Sequence, residues 1–158
     1  MGDHPGDGGA LTVRAGGRAD AAFVVALGAI AFSPFGDYAP VMREFLASPE
    51  VVPYIAEAGG EPVGFALLDR VPGGDGLADL VAIAVDARHR RSGIGRALLA
   101  RVIAACAEEP KASLLVLTVA DGNDAAITLF RSMGFRMIPG SPGRYAGGQP
   151  SRRMARSV

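Results

Sequence analysis

The chain predicts an α/β fold, a mixed sheet with helices on both faces. Two observations carry this. The apolar segments alternate in period, giving the order β-α-α-β-β-β-α-β-α-β-β. Strands joined by short turns come early and strand–helix–strand units come late. Hairpins pair strands antiparallel and helical crossovers pair them parallel, so the sheet contains both.

At 158 residues, 49% hydrophobic and 20% charged, the chain is long enough for one domain with its own core. Residues 1–9, rich in glycine, read as a disordered leader, leaving a single domain over residues 10–158. No apolar run reaches the length of a membrane span, and the N-terminus lacks a basic segment followed by an apolar one. Cys106 is the single cysteine, which rules out an internal disulfide and a cysteine-cluster metal site. The expectation is a cytoplasmic protein without a metal. The net formal charge of +0 argues against nucleic acid as a partner, although five arginines lie between Arg88 and Arg101 with no acid among them.

Leu11-Thr12-Val13 opens as a strand. Asp20 stands where it can cap a helix with Phe23, Leu27, Ile30 and Ala31 at helical spacing. Asp37 can cap a second, with Val41, Met42, Phe45 and Leu46 on one side, before Ser48-Pro49 stops it. Strands 51–58 and 63–69 flank Gly59-Gly60, a hairpin signal. The turn Gly73-Gly74-Asp75-Gly76 leads into a central strand at 77–85. A helix from about Gly93 to Glu108 turns Leu98, Leu99, Val102, Ile103 and Cys106 to one face. Residues 114–119 are a continuous apolar strand, expected to be buried on both faces. Asn123 or Asp121 caps a short helix whose inward positions are Ala126, Ile127, Phe130 and Met133, and Gly134 follows its end. Strands are expected at 135–138 and near 154–158, with a Gly/Pro-rich loop at 139–150 between them.

The chemistry concentrates where the central strand meets its helix. Arg90-Arg91-Ser92-Gly93-Ile94-Gly95-Arg96 is a tight turn opening a helix, so the backbone N–H groups of about residues 91–96 can converge on an anion. The dinucleotide fingerprint fails because Leu98 stands where a small residue is required, and the P-loop fails because Arg96-Ala97 replaces Lys-Ser/Thr. What is left is Arg-x-x-Gly-x-Gly between strand and helix.

Here the sequence resembles the GNAT N-acetyltransferase superfamily. Arg90, Gly93 and Gly95 match its acyl-CoA signature, and residues 123–135, ending in Gly134-Phe135, resemble its helix after the fifth strand. The resemblance implies a mostly antiparallel sheet of six to seven strands in which two central parallel strands splay apart. It implies acetyl-CoA as acyl donor, with pyrophosphate at residues 90–96 and the pantetheine arm on backbone at Ile83, Ala84 and Val85. Asn123 would contact the same arm, and Phe130 would lie near the thioester sulfur.

Two catalytic roles follow. Asp79 occupies the place where some members carry a glutamate base. A base has work to do because an alkylamine with pKa near ~10 is mostly protonated at neutral pH. Many relatives carry tyrosine where this chain has Phe130, which donates no proton; either the thiol, with pKa ~8.5, leaves as thiolate without an acid, or Tyr38 or Tyr145 supplies the proton from a loop, and Tyr145 is the residue we assign to that role. Acceptor selection is expected from residues 32–38 and from the loop at 139–150. The acceptor is a primary amine, either a protein N-terminus, since residues 115–135 resemble the ribosomal-protein N-terminal acetyltransferases, or a small molecule. The alternative reading is an acyl-CoA-binding module with little turnover. A homodimer is the expected assembly if the last strand is an open edge.

Overall fold

The structure, a computed structural model, describes residues 9–70, 75–140 and 143–158. The expected leader therefore lies outside the described residues except for Gly9, as do Gly73 and Gly74 of the turn before the central strand.

Eight strands form one sheet: β1 (Leu11–Ala15), β2 (Val51–Ala58), β3 (Glu61–Asp69), β4 (Leu77–Val85), β5 (Leu114–Ala120), β6 (Arg136–Met137), β7 (Gly143–Arg144) and β8 (Pro150–Ser157). Their order is β1-β2-β3-β4-β5-β8-β6, with β7 also on β8. Only β4 and β5 run parallel. Gly59 and Gly60 close the β2–β3 hairpin at φ 60° and 82°, a conformation two successive glycines adopt without strain.

Helices α1 (Ala21–Ala31) and α2 (Ala39–Ala47) cover one face of the sheet, while α3 (Ile94–Glu108) and α4 (Asp124–Ser132) cover the other. On the first face Val24, Leu27 and Met42 pack against Phe65, Leu67, Ala82 and Ala84. On the second, Leu98, Leu99, Val102 and Cys106 of α3 join Ile127 and Phe130 of α4 over Leu80, Leu115 and Leu117. Burial pushes the Cys106 thiol up to about 11, so it is an inert core side chain.

Several local expectations are corrected. Asp20 does not cap α1 with its side chain; its carboxylate pairs with Arg14 at 2.8 Å and accepts from the Gly17 N–H at 2.9 Å. Ile30 is 70% exposed, since it lies about 200° round the helix from the buried Gly28. Asp37 lies two residues before the start of α2, with Tyr38 at the cap position, and accepts from the Ala39 N–H at 3.4 Å. The strand expected at 135–138 shortens to β6, and the last strand begins at Pro150. That last strand is no open edge, because β5 flanks one side and β6 and β7 the other. Finally, β5 is not buried throughout: Thr118 is exposed in the middle of it.

Candidate active site

The exposure of Thr118 has a topological cause. β4 and β5 pair only from Leu77↔Leu114 to Leu80↔Leu117. At that point β4 carries a bulge: Leu68 pairs with Leu80 and Leu67 with Ala82, leaving Val81 as the extra residue. A bulge bends its strand and increases its twist. It also exchanges the faces, so Leu80 joins the α3 core while Ala82 and Ala84 join the α1–α2 core. Beyond it, β4 follows β3 as far as Val85↔Gly64, and β5 follows β8 as far as Ala120↔Ser151. The two parallel strands part.

The gap holds a cavity of ≈140 Å³. Leu80 to Ile83 form one wall and Leu117 to Ala120 the other; Asn123, Ala126 and Phe130 come from α4. Phe32, Phe35, Tyr38, Met42 and Tyr145 close the end opposite α4, and no charged side chain lines the space. The closing aromatics come from the two segments expected to select the acceptor, and hydrogen bonds tie those segments together. Gly147 N–H donates to the Phe35 carbonyl at 2.7 Å, Gln149 Nε2 to the Pro34 carbonyl at 2.6 Å, and Ala146 N–H to the Tyr38 hydroxyl at 3.2 Å. The Tyr145 ring lies 4.8 Å from Phe35 and 6.3 Å from Tyr38, centroid to centroid. Burial raises the Tyr145 hydroxyl above the usual phenol range, keeping it protonated.

The turn before α3 has the anticipated form. Arg91 and Gly93 both sit in the left-handed region, at φ 65° and 82°. The first helical bond runs from Ala97 N–H to the Gly93 carbonyl at 3.0 Å, so Ile94, Gly95 and Arg96 keep N–H groups without an intrahelical partner. Ile94 is buried and anchors the helix start. A Cβ on Gly95 would lie 3.2 Å from Leu129 Cδ2, so the glycine lets α4 approach. Arg90, Arg91, Ser92 and Gly93 are exposed. The Arg96 side chain turns to α4, its Nη2 donating to Ser132 Oγ at 2.9 Å, while its backbone N–H stays without an intrahelical partner.

Of the anticipated residues, Ile83, Asn123, Phe130 and Tyr145 line the cavity together. Ala84 and Val85 continue β4 beyond the parting, with Ala84 turned into the core. Asn123 caps α4, accepting from the Ala126 N–H at 3.3 Å. Phe130 is buried and meets Phe135 edge-on at 5.9 Å. Asp79 is not in the lining. It sits at the foot of the gap, paired across strands with Asp69 and Val116, and 3.8 Å from Arg153 Nη2. Burial raises its carboxyl above the usual range; Arg153 opposes the shift and Asp69 adds to it. Thr118 was not anticipated, and its signal was the one hydroxyl in Leu-Leu-Val-Leu-Thr-Val-Ala. Among the described residues no group of three or more His, Cys, Asp or Glu side chains could hold a metal ion, and no helix is long and apolar enough to cross a membrane.

The arrangement is that of known acetyltransferases. The N-alpha-acetyltransferase of Sulfurisphaera tokodaii is 32% identical over 121 residues, covering 71% of this chain and 72% of its own. The N-alpha-acetyltransferase RimI of Mycobacterium tuberculosis is 32% identical over 130 residues, covering 81% and 80%. The solved structure of yncA from Salmonella typhimurium, described as a putative acetyltransferase with its cofactor acetyl-CoA, superposes with a TM-score of 0.79 at 22% identity over 94% of each chain. The acetyltransferase (GNAT) family model matches residues 24–135, and with the parted parallel strands and the Arg90–Gly95 turn this makes the chain a member of the GNAT acetyltransferase family, an enzyme of the acyltransferase class.

Proposed function

We propose that the chain moves an acetyl group from acetyl-CoA to the α-amino group of a polypeptide, by direct attack of the amine on the thioester. The observation that carries this is the gap between β4 and β5, closed on one side by an uncharged aromatic wall, together with the unpaired amides of Ile94, Gly95 and Arg96 in the turn that follows β4. In this reading the CoA pyrophosphate lies on the N–H groups of Ile94, Gly95 and Arg96, with Arg90 and Arg91 beside it. The pantetheine arm runs along the β4 backbone at Ile83–Val85, taking the place of a strand. The thioester then falls among Phe130, Thr118 and Tyr145.

The uncharged lining favours one class of amine. An α-amino group has a pKa near ~8, against ~10 for a lysine side chain, so far more of it is neutral at physiological pH. A neutral amine enters an uncharged cleft without the desolvation cost of a cation. The names of the two curated relatives support the same acceptor. Nitrogen attacks the carbonyl carbon, the C–S bond breaks, and sulfur leaves as a thiolate that takes the Tyr145 proton. The proton shed by nitrogen passes through water beside Thr118 to Asp79.

The test is thiol release from acetyl-CoA with a panel of peptides of varied N-terminal residue, with N-terminally blocked lysine peptides and polyamines as controls. Release with free N-termini, and acetyl mapped to the α-nitrogen by mass spectrometry, is the expected result. Release only with lysine or polyamine would sink the α-amino assignment. Phe130 favours the second reading, a binding module: acetyl-CoA would then raise the melting temperature with no thiol released by any amine.

A further inference from the structure

Asp79 is not the only carboxyl at the foot of the gap. Asp69 is its register partner on β3, so the two stand opposite each other in the antiparallel pair. Their neighbours fix which way they point. Leu68 and Leu80 belong to the α3 core, so Asp69 and Asp79 lie on the other face of the sheet. Thr118 and Arg153 share that face, because the adjacent Leu117 and Met154 are core residues as well. Directly opposed side chains in an antiparallel pair have Cβ atoms about 5 Å apart, within reach of one hydrogen bond between two carboxyl groups.

Asp69 Oδ1 is shut off from solvent and has no hydrogen-bond partner among the described residues. No cation among the described residues pairs with this carboxyl: Arg153 Nη2 goes to Asp79 at 3.8 Å, and Arg70 goes to Glu50 at 3.9 Å. Burial raises the Asp69 carboxyl above its usual range, and the like charge of Glu50 adds to the effect. The other register partners of the two residues, Val51 on β2 and Val116 on β5, carry no charge. A buried acceptor without a donor is a group that a folded chain ordinarily pairs. Two ionised carboxylates are acceptors only, and a single proton arriving on either one supplies the donor.

We propose that Asp69 is a positioning residue for the acyl-transfer step, a partner carboxylate that makes Asp79 the place where the proton of the acceptor amine comes to rest. The inference rests on the reading of Asp79 as the base. As nitrogen attacks the thioester its N–H bond breaks, the proton passes through water to an Asp79 oxygen, and an O–H bond forms there. That O–H donates to Asp69 Oδ1. The pair then carries one negative charge in place of two, and the proton returns to solvent before the next turnover. Without the charge of Asp69, Asp79 faces only Arg153 and is a weaker base.

The full chain, carrying carbon-13 at its aspartate carboxyls, is titrated by NMR, with Asp69→Asn and Asp79→Asn assigning the two signals. In the wild type Asp79 should take its proton at least about one pH unit above its midpoint in Asp69→Asn. Asp69→Glu keeps the charge and should restore most of that difference, with thermal unfolding of each variant confirming the fold. The same variants are then followed as kcat against pH at saturating peptide, using the best acceptor of the peptide panel. The acid limb should move to lower pH in Asp69→Asn, return in Asp69→Glu and vanish in Asp79→Asn. An Asp79 midpoint that Asp69→Asn leaves in place overturns the inference. So does an acid limb that Asp79→Asn removes and Asp69→Asn leaves where it was. An acid limb that survives Asp79→Asn overturns the base reading itself, and the inference with it.

Discussion

The two halves of β4 differ less in sequence than in what they do. Leu77–Leu80 pairs with β5 throughout and, at Asp79 and Leu80, with β3 as well, and it carries Ala78 and Leu80 into the α3 core. Val81–Val85 is apolar throughout, and past the bulge Ala82–Val85 pairs on one side only, leaving backbone facing the gap. One bulged residue, Val81, separates the segment paired with β5 from the segment that faces the gap. Asp79 apart, side-chain chemistry does not distinguish the halves; what distinguishes them is whether the β5 strand is present to take the backbone groups.

The largest effect that sharpens this contrast comes from adjacent residues of β5. Leu117 is 1% exposed at the last paired position, and Thr118 is the first position past it. Leu117→Ala should cost about 2–5 kcal/mol of unfolding free energy, since it leaves a cavity in the core. Thr118→Val should stay within about 0.5 kcal/mol of wild type in the same denaturant titration, while altering turnover. Equal losses of stability in both variants would break the division at Leu117.

Tyr145→Phe tests the far wall. Removing a general acid costs at least about 10²-fold in kcat at pH 7, and Tyr38→Phe should cost less, since its oxygen accepts a loop amide and holds the mouth together. Steady-state thiol release separates them. A Tyr145→Phe enzyme with full kcat would leave the thiolate departing unaided.

Much of this was legible in the residues. The bounds of β4, the hairpin glycines, the αL glycine before α3 and the Asn123 cap all rest on local physics that a short stretch of sequence expresses. What was not legible is non-local. The bulge at Val81 arises from the register of β4 on β3, and no residue in Leu-Val-Ala-Ile announces it. Where Asp79 stands relative to the gap is not legible either, because it depends on how far β5 stays paired with β4. The reach of the Arg96 side chain to Ser132 is equally non-local, since it depends on how α4 returns. Tyr145 lies in a loop without periodicity, and only hydrogen bonds to residues far away in the chain bring it to the cleft.

A smaller effect separates two residues of the α3 turn. Gly93 holds φ 82° and an added Cβ would meet nothing within 4 Å, so Gly93→Ala should cost about 1 kcal/mol through backbone strain alone. Arg91 already carries that strain at φ 65°, so Arg91→Gly should hold stability or raise it, while weakening acetyl-CoA binding through the lost charge. Melting temperature and acetyl-CoA affinity then move in opposite senses for Arg91→Gly and in the same sense for Gly93→Ala. Parallel behaviour of the two variants would mean that charge at position 91 is irrelevant to the anion.

The smallest effect concerns pH, and it sets the foot of the gap against the β1 end of the sheet. Asp79 is held above the ordinary carboxylate range by burial, with Asp69 adding to the shift and Arg153 opposing it. The folded state therefore binds that proton more tightly than the unfolded chain does. The stability tied to it is fully present below the unfolded pKa of ~3.9 and is lost as pH rises through the raised folded value. Asp20 is the opposite case: its bonds to Arg14 hold it below the ordinary range, so its contribution is present above ~3.9 and is lost as pH falls through the lowered value. Asp79→Asn should accordingly stabilise the protein at pH 7 relative to pH 3, and Asp20→Asn should destabilise it at pH 7, both read from denaturant midpoints. If Asp79 takes the proton from the acceptor amine, Asp79→Asn lowers kcat/KM at the same pH at which it raises stability, because the carboxylate is kept ionised against its surroundings for the reaction. An Asp79→Asn variant that gains stability with kcat/KM unchanged would leave Asp79 a buried charge with no part in the chemistry.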